Sequence, residues 1–223
     1  MGLLLLALAG PGYRIGLLSL ASASTLLQWA AYAGVAAIAA AVVAGALAYR
    51  RGARLAVAVA VAAFVGGVAS WAVPFEWSRR ARSAPMHDIS TDLENPPAFE
   101  AILPLRGEPA TSLDRPAGVA AQQREAYPDL APVVLPMPLE QAFTRALAAA
   151  QQDGWRIVTA DQGTGRIEAT DTTTWFGFTD DIVVRLTPWG AGTRVDVRSA
   201  SRDREGDMGS NARRIRRYLA ALQ

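Results

Sequence analysis

The chain contains no cysteine, no lysine and only one histidine, His87. The absence of cysteine excludes a disulfide framework, a thiolate nucleophile and a zinc or iron–sulfur site with cysteine ligands. The glycines at 163 and 165 indicate a hairpin turn and not a phosphate loop, because the spacing and the following helix of such a loop are missing. No cofactor is therefore predicted.

Charge is divided unevenly along the chain. Residues 1–82 hold seven arginines and a single acid, Glu76, which is a local charge of +6. Residues 83–223 have a local charge of −4, so the net charge of +2 hides a mildly acidic second part. A nucleic-acid-binding domain would need a basic surface, so no nucleic-acid partner is expected.

Two uncharged apolar stretches, 29–49 and 55–73, are long enough to cross a membrane. A helix over 29–49 would reach roughly 31 Å, about the thickness of a bilayer core. The short connection between the stretches predicts a transmembrane helical hairpin over 29–75. Small residues at every fourth position favour close packing of its helices: Ala36, Ala40, Ala44 and Ala48, and Ala58, Ala62, Gly66 and Ser70.

Residues 1–28 are apolar but interrupted by Pro11, Gly12 and Arg14. Neither apolar piece spans a bilayer alone, and an arginine near the centre of a span costs about 2.5–3.5 kcal/mol. We expect either a kinked third transmembrane helix or an interfacial segment.

The orientation of the hairpin depends on its arginines. Arg50, Arg51 and Arg54 occupy the short loop, and Arg79, Arg80 and Arg82 follow the second helix. Because the positive-inside rule weighs short loops most, the loop is expected in the cytoplasm. This predicts an integral membrane protein with its soluble domain on the extracytoplasmic side. An aromatic belt is expected near the surface opposite the loop, formed by Trp29, Tyr32, Trp71 and Trp77.

The soluble part is predicted to begin with a connector. Residues 76–132 are rich in proline, glycine and small residues, which indicates a juxtamembrane connector and an extended wrap over the domain. A short helical piece is expected near 118–126. Residues 133–223 follow as helix, four strands and helix, with Pro138 opening the first helix and either Asp207 or Ser210 capping the last. The last helix is expected to turn its arginines mostly outward: Arg213, Arg214, Arg216 and Arg217.

Alternating residues between 180 and 202 predict a β-hairpin. A turn centred on Gly190–Ala191 would pair Leu186 with Val195 and Arg185 with Asp196. One face would then be apolar and the other patterned with arginine against aspartate. Two helices on the apolar face of an antiparallel sheet of about four strands make an α+β domain.

Four stretches of the soluble part carry a family resemblance. They are HDISTDLENPPAF at 87–99, WFGFTDDIVVR at 175–185, GTRVDVRSASR at 192–202 and DMGSNARRIR at 207–216. In this order they resemble the bacterial and plastid proteins of the domain-of-unknown-function 1499 family over about residues 85–222. The family has no assigned activity, and its plastid relatives resemble lumenal proteins, which agrees with an extracytoplasmic domain. Together with the predicted orientation, the resemblance implies a bacterial inner (plasma) membrane protein with its soluble domain on the periplasmic or extracytoplasmic side.

The acidic residues near the single histidine suggest one kind of site. If the connector folds across the charged sheet face, a site for general acid–base catalysis or for an oxygen-rich metal centre could form there. Its candidate residues are His87, Asp88, Asp92, Asp180 and Asp181. The alternative is that Asp88, Thr91 and Asp92 form turns through local backbone amides.

The charged sheet face suggests another kind of site. Arg185, Asp196, Arg198 and Arg202 form either a structural ion-pair lattice or an anion-binding surface. In the second case Arg198 and Arg202 would grip a carboxylate, a phosphate or a lipid head group.

The leading hypothesis is a membrane-anchored envelope protein whose α+β domain is a binding or structural module rather than an enzyme. The alternatives are an envelope hydrolase or metal-dependent enzyme that uses His87 with nearby aspartates, and a lipid or anionic head-group binding domain. No motif identifies a protein partner.

Overall fold

The computed structural model describes residues 1–83, 86–107, 110–203 and 207–223, with the backbone alone for residues 80–83. Positions 84 and 85 of the predicted connector and the side chains of Arg80 and Arg82 lie outside the described residues. The chain divides into two units. The first comprises Met1–Arg82 and Thr174–Gly177, and the second comprises Ser83–Thr173 and Phe178–Gln223.

The first unit is helical. Helix α1 covers Gly2–Arg14, α2 covers Leu20–Arg50 and α3 covers Arg54–Ser83. Helices α2 and α3 are long and apolar enough to cross a membrane, over Leu20–Arg50 and Arg54–Arg79. The predicted hairpin is present, and both helices extend beyond their predicted ends.

The predicted N-terminal segment 1–28 is divided between two helices, because α1 ends at Arg14 and the residues from Leu20 onward already belong to α2. Its position as a kinked third span or as an interfacial segment stays a prediction. Ser19 begins α2 by accepting a hydrogen bond from the Ser22 backbone N–H at 3.1 Å. The 13 residues of α1 make a helix about 20 Å long, which is shorter than a bilayer core.

Glycine lets α2 and α3 approach closely. A Cβ atom on Gly34 would lie 2.6 Å from the Gly67 carbonyl oxygen, and one on Gly67 would lie 2.9 Å from the Gly34 carbonyl oxygen. Close packing is thus confirmed. Ala48 and Ser70 of the predicted small-residue stripe are buried, but most of its other members are not. Ala36, Ala40 and Ala44 are exposed, whereas the buried small residues of α2 are Ala23, Ala30, Gly34, Ala41 and Ala48.

The second unit is an α+β domain, as predicted. Its remaining helices are α4 (Leu103–Arg106), α5 (Val119–Ala126), α6 (Leu139–Gln152) and α7 (Ser210–Leu222). Its strands are β1 (Asp88–Ser90), β2 (Val133–Leu135), β3 (Arg156–Asp161), β4 (Arg166–Thr172), β5 (Thr179–Trp189) and β6 (Gly192–Ser201). Within the described residues these form one antiparallel sheet of six strands, in the order β1-β6-β5-β4-β3 with β2 also paired to β6.

The two additional strands come from the predicted connector and from the start of the predicted domain. Strand β1 pairs with Arg198–Ala200 and β2 with Thr193–Val195 along the free edge of β6. The buried side chain of Gln123 completes β1, since its amide accepts from the Ser90 N–H at 3.1 Å and donates to the Ser90 carbonyl at 2.6 Å. An unpaired strand edge buried in protein would leave these groups unsatisfied.

The predicted hairpin register is correct. Leu186 pairs with Val195, Val184 with Val197 and Arg185 with Asp196. The apolar face packs against α6 and α7, where Phe143, Ala146, Ile215, Tyr218 and Leu222 are buried with Ile182, Val184, Val195 and Val197. Asp207 caps α7 by accepting from the backbone N–H groups of Gly209 and Asn211, both at 2.7 Å.

Tyr218 makes this core sensitive to alkaline pH. Its ring stacks on Trp155 with the centroids 4.6 Å apart, and its hydroxyl donates to the Ala146 carbonyl at 2.9 Å. Burial raises the pKa of Tyr218, and the Asp153 carboxylate acts in the same direction. In the unfolded chain a tyrosine ionises at about pH 10, so above this pH ionisation stabilises the unfolded state and the protein loses stability until the folded-state pKa is passed.

We therefore expect stability to fall above pH 10 by as much as about 1.4 kcal/mol per pH unit from this residue. Tyr218→Phe is expected to cost about 1 kcal/mol at neutral pH and to make the alkaline decline shallower. Thermal melting across pH 8–11.5 measures both effects, and Tyr49→Phe, at a residue 80% exposed, is the control. An equally steep decline in Tyr218→Phe would contradict the assignment.

Candidate functional site

The charged face of the sheet is covered by the chain's own residues 86–107 and 110–115, which form the covering segment. Phe99 and Ile102 of this covering segment pack against Val183 and Ala200 of the sheet. The segment therefore does fold across the charged face. The sheet carboxylates Glu168, Asp181 and Asp196 beneath it are all at most 1% exposed.

Asp88 and Arg198 form the first ion pair of this covered face. Arg198 donates to the Asp88 carboxylate from Nε at 3.0 Å and from Nη2 at 2.7 Å. The same guanidinium donates to the carbonyls of Pro97 at 3.2 Å and Leu113 at 2.8 Å. Arg115 adds a second cation 3.2 Å from Asp88. One arginine on β6 thus holds the covering segment at three points.

His87 is only partly buried and points to a different partner. Its Nε2 lies 3.1 Å from the Ser112 carbonyl oxygen, to which it donates because a carbonyl can only accept. The backbone carbonyl of His87 accepts from the Ser201 N–H at 2.7 Å and from Asn211 Nδ2 at 3.0 Å. The imidazole and the Asp88 carboxylate are therefore engaged by separate groups.

Asp181 is fully buried between two arginines. Arg106 of the covering segment and Arg202, the residue after β6, both pair with its carboxylate. Arg106 also donates to the Thr111 carbonyl at 2.7 Å, and Arg202 to the Leu105 carbonyl at 2.9 Å.

Asp92 and Asp196 share two arginines. Arg185 lies 3.1 Å from each carboxylate, and Arg194 lies 2.9 Å from each. The hydrogen bonds from Asp196 are the main reason why the pKa of Arg194 is raised. Asp92 also accepts from the backbone N–H groups of Glu94 and Asn95, at 3.1 and 2.9 Å, so the expected local turn is confirmed for Asp92. It is wrong for Asp88, which pairs with Arg198, and for Thr91, whose hydroxyl accepts from the Val197 N–H at 2.9 Å.

Asp180 lies apart from this set, because successive strand residues point to opposite faces of a sheet. On the helix side its carboxylate accepts from Ser201 Oγ at 2.7 Å and pairs with Arg214 at 2.8 Å. Arg214 is only 4% exposed and also contacts Asp171. The prediction that the arginines of α7 point mostly outward is thus wrong for Arg214. Burial lowers the pKa of Arg214, but Asp180 and Asp171 outweigh it and leave the pKa raised.

The same part of the chain has a match among known protein families. Residues 88–222, more than half of the chain, match the family described as Protein of unknown function (DUF1499). The chain belongs to the DUF1499 family. No curated protein matches it. The covering segment, the ion pairs and α7 all fall within or next to the matched DUF1499 residues.

The DUF1499 domain contains site residues that sequence reasoning missed. Glu168 is fully buried, and its carboxylate accepts from the backbone N–H groups of Glu100 and Ile102, both at 2.9 Å. Arg106, Arg115 and Arg194 belong to the same lattice. The alternation of β4 places Glu168 on the charged face, and this was an available signal. Arg106 and Arg115 carry no local signal, because their carboxylate partners Asp181 and Asp88 lie far away in sequence.

The chemistry of this arrangement follows from how fully its charges are paired. Arg185, Arg198 and Arg202 each hold a carboxylate of the chain itself. Among the described residues no group of three or more histidine, cysteine, aspartate or glutamate side chains could hold a metal ion. Removing one member of a buried pair leaves an uncompensated charge, which is strongly destabilising. The lattice can therefore fix the covering segment on the sheet.

Proposed function

We propose that this protein is a membrane-anchored cell-envelope protein whose α+β domain is a binding or structural module on the extracytoplasmic side of the bacterial inner membrane. One observation carries the proposal. Every candidate carboxylate for acid–base or metal chemistry is held by an arginine side chain of the same domain. These carboxylates are Asp88, Asp92, Asp180 and Asp181. An arrangement of this kind favours a rigid scaffold over a catalytic centre.

The buried charges support a structural role for the covering segment. A catalytic carboxylate needs access to substrate. Asp181 is instead fully buried between two guanidinium groups. The covering segment places its own carbonyl oxygens where an anion would otherwise meet Arg198 and Arg202. Any ligand or partner of the module would then use its outer surface.

The membrane part of the proposal rests on α2 and α3. Both helices are long and apolar enough to cross a bilayer, and only five residues separate the predicted spans 29–49 and 55–73. The three arginines in this connection favour a cytoplasmic loop. A two-helix hairpin returns the chain to the side from which it entered, so the domain would lie on the extracytoplasmic side.

Protease accessibility in bacterial cells tests the location. In cells with a permeabilised outer membrane but an intact inner membrane, the domain is expected to be degraded while a cytoplasmic marker protein survives. Degradation that requires disruption of the inner membrane would reverse the orientation. If alkaline carbonate released the chain from the membrane, the proposed integral anchoring would be wrong.

The His87→Ala variant separates a module from an enzyme. The imidazole is partly exposed and makes one hydrogen bond to a backbone carbonyl, so its loss is expected to shift the melting temperature by only a few degrees. In a strain lacking the gene, His87→Ala is expected to restore growth fitness as well as the unaltered chain. Failure to restore fitness, at normal abundance and melting temperature, would favour the enzyme hypothesis.

A further inference from the structure

The first unit contains a cavity between α2 and α3 that the anchoring role does not explain. Its volume is about 440 Å³, within the range of about 300–1,000 Å³ that small-molecule sites occupy. The cavity lies at the end of the hairpin opposite the Arg50–Arg54 connection. Its lining residues are Ser24, Leu27, Gln28, Ala31, Tyr32, Trp71, Pro74, Phe75, Trp77 and Ser78.

The lining has a wall on α3 that is mainly aromatic and a wall on α2 that mixes apolar residues with polar groups. On α3, the rings of Trp71 and Phe75 stack with their centroids 5.1 Å apart and their planes at 23°. On α2, Gln28 and Tyr32 contribute an amide and a hydroxyl to the same cavity. In the part of the chain that the structure describes, the side chain of Gln28 makes no hydrogen bond, so it can donate to a ligand.

The two walls match the chemistry of a lipid at the membrane surface. Tryptophan and tyrosine concentrate where acyl chains meet the polar head groups, and the cavity contains Tyr32, Trp71 and Trp77. At this depth a phospholipid presents ester carbonyl oxygens above an apolar chain. The Gln28 amide can donate to the first while Trp71 and Phe75 pack against the second.

We propose that the cavity binds one phospholipid of the surrounding bilayer, with Gln28 donating to an ester carbonyl and the Trp71–Phe75 wall contacting the acyl chain. This site rests on the proposed membrane anchoring of α2 and α3. It differs from an anionic head-group site on the domain, because neither wall carries an arginine.

Photo-labelling in nanodiscs tests the site. The full-length chain is placed in phosphatidylcholine nanodiscs with a phosphatidylcholine probe that carries a diazirine close to its ester. Labelling is expected to concentrate at Phe75 over Trp29 and Val73, which are exposed residues of the same helices outside the cavity lining. Gln28→Leu is expected to reduce labelling at Phe75 about fivefold.

Ala31→Trp and Ala39→Trp form a matched pair on α2. Ala31 lines the cavity and Ala39 is exposed outside it, so only the first substitution is expected to bring labelling at Phe75 down to the level at Val73. Equal labelling of Phe75 and Val73, unchanged by Gln28→Leu and Ala31→Trp, would indicate annular lipid only and overturn the site while leaving the anchor intact. Absence of labelling at Trp29 and Val73 would instead overturn the anchor itself.

Discussion

Asp181→Ala is expected to lower the free energy of unfolding by about 3–5 kcal/mol. The carboxylate of Asp181 is fully buried and neutralises both Arg106 and Arg202. Without it two guanidinium groups remain close together in a site shielded from water, and one of them belongs to the covering segment. The loss is measured by denaturant unfolding of the detergent-solubilised full-length chain, followed by far-ultraviolet circular dichroism.

Asp129→Ala is the matched control. Asp129 also pairs with an arginine, Arg216, but the two side chains are 53% and 42% exposed. Exposed pairs contribute about 0–1 kcal/mol, so this variant is expected to unfold almost as the unaltered chain does. Equal losses in Asp129→Ala and Asp181→Ala would show that burial does not determine the strength of these pairs.

Arg198→Ala is expected to release the covering segment from the sheet. Its guanidinium holds Asp88 and the carbonyls of Pro97 and Leu113, and no other group on β6 replaces all three. Hydrogen–deuterium exchange followed by mass spectrometry is expected to show faster exchange over residues 88–113. Exchange in α6, which packs on the opposite face, is expected to change much less.

Arg198→Lys separates the planar geometry of the guanidinium from its charge, and Arg217→Ala is the control. Arg198→Lys keeps the charge but cannot donate in the same planar pattern, so partial protection of residues 88–113 is expected. Arg217→Ala removes an arginine that is 58% exposed on α7 and is expected to leave exchange in the segment unchanged. An equal increase in exchange across α6 and the segment would show that Arg198 stabilises the whole domain rather than this segment.

The β5–β6 hairpin was predictable because its information is local. Residues 182–186 alternate between the two faces, and the turn at Gly190–Ala191 determines which residues pair. The predicted partners of Val184, Arg185 and Leu186 are therefore correct. The end of α6 is local in the same way, since Gly154 has a φ of +81°, a conformation that glycine adopts readily.

Strands β1 and β2 were not predictable in this way. Each has three residues, which is too short for alternation to be recognised. Asp88 pairs with Ala200 and Val133 with Val195, partners that lie far along the chain. The backbone groups of β1 are satisfied by β6 and by the Gln123 side chain, and only the folded chain brings these together.

Helical periodicity indicated that Arg214 is buried, but arginine as a residue type favours an exposed position. It lies four residues before Tyr218, so helical periodicity places it on the buried face of α7. An arginine is rarely buried without a partner, and Asp171 and Asp180 are the partners. Their position depends on the β4–β5 pairing of Asp171 with Asp180.

The sequence by itself determined the apolar helical hairpin, the α+β class, the hairpin register and the separation of an apolar from a charged sheet face. These properties follow from hydrophobic length and from periods of 2 and 3.6 residues. Only the tertiary structure decided that the charged face is covered and which carboxylates its arginines hold beyond the predicted pair of Arg185 with Asp196. The physical reason is that the strength of an ion pair depends on desolvation. Desolvation here is created by residues 86–107 and 110–115, which fold back over strands that begin more than 50 positions later in the chain.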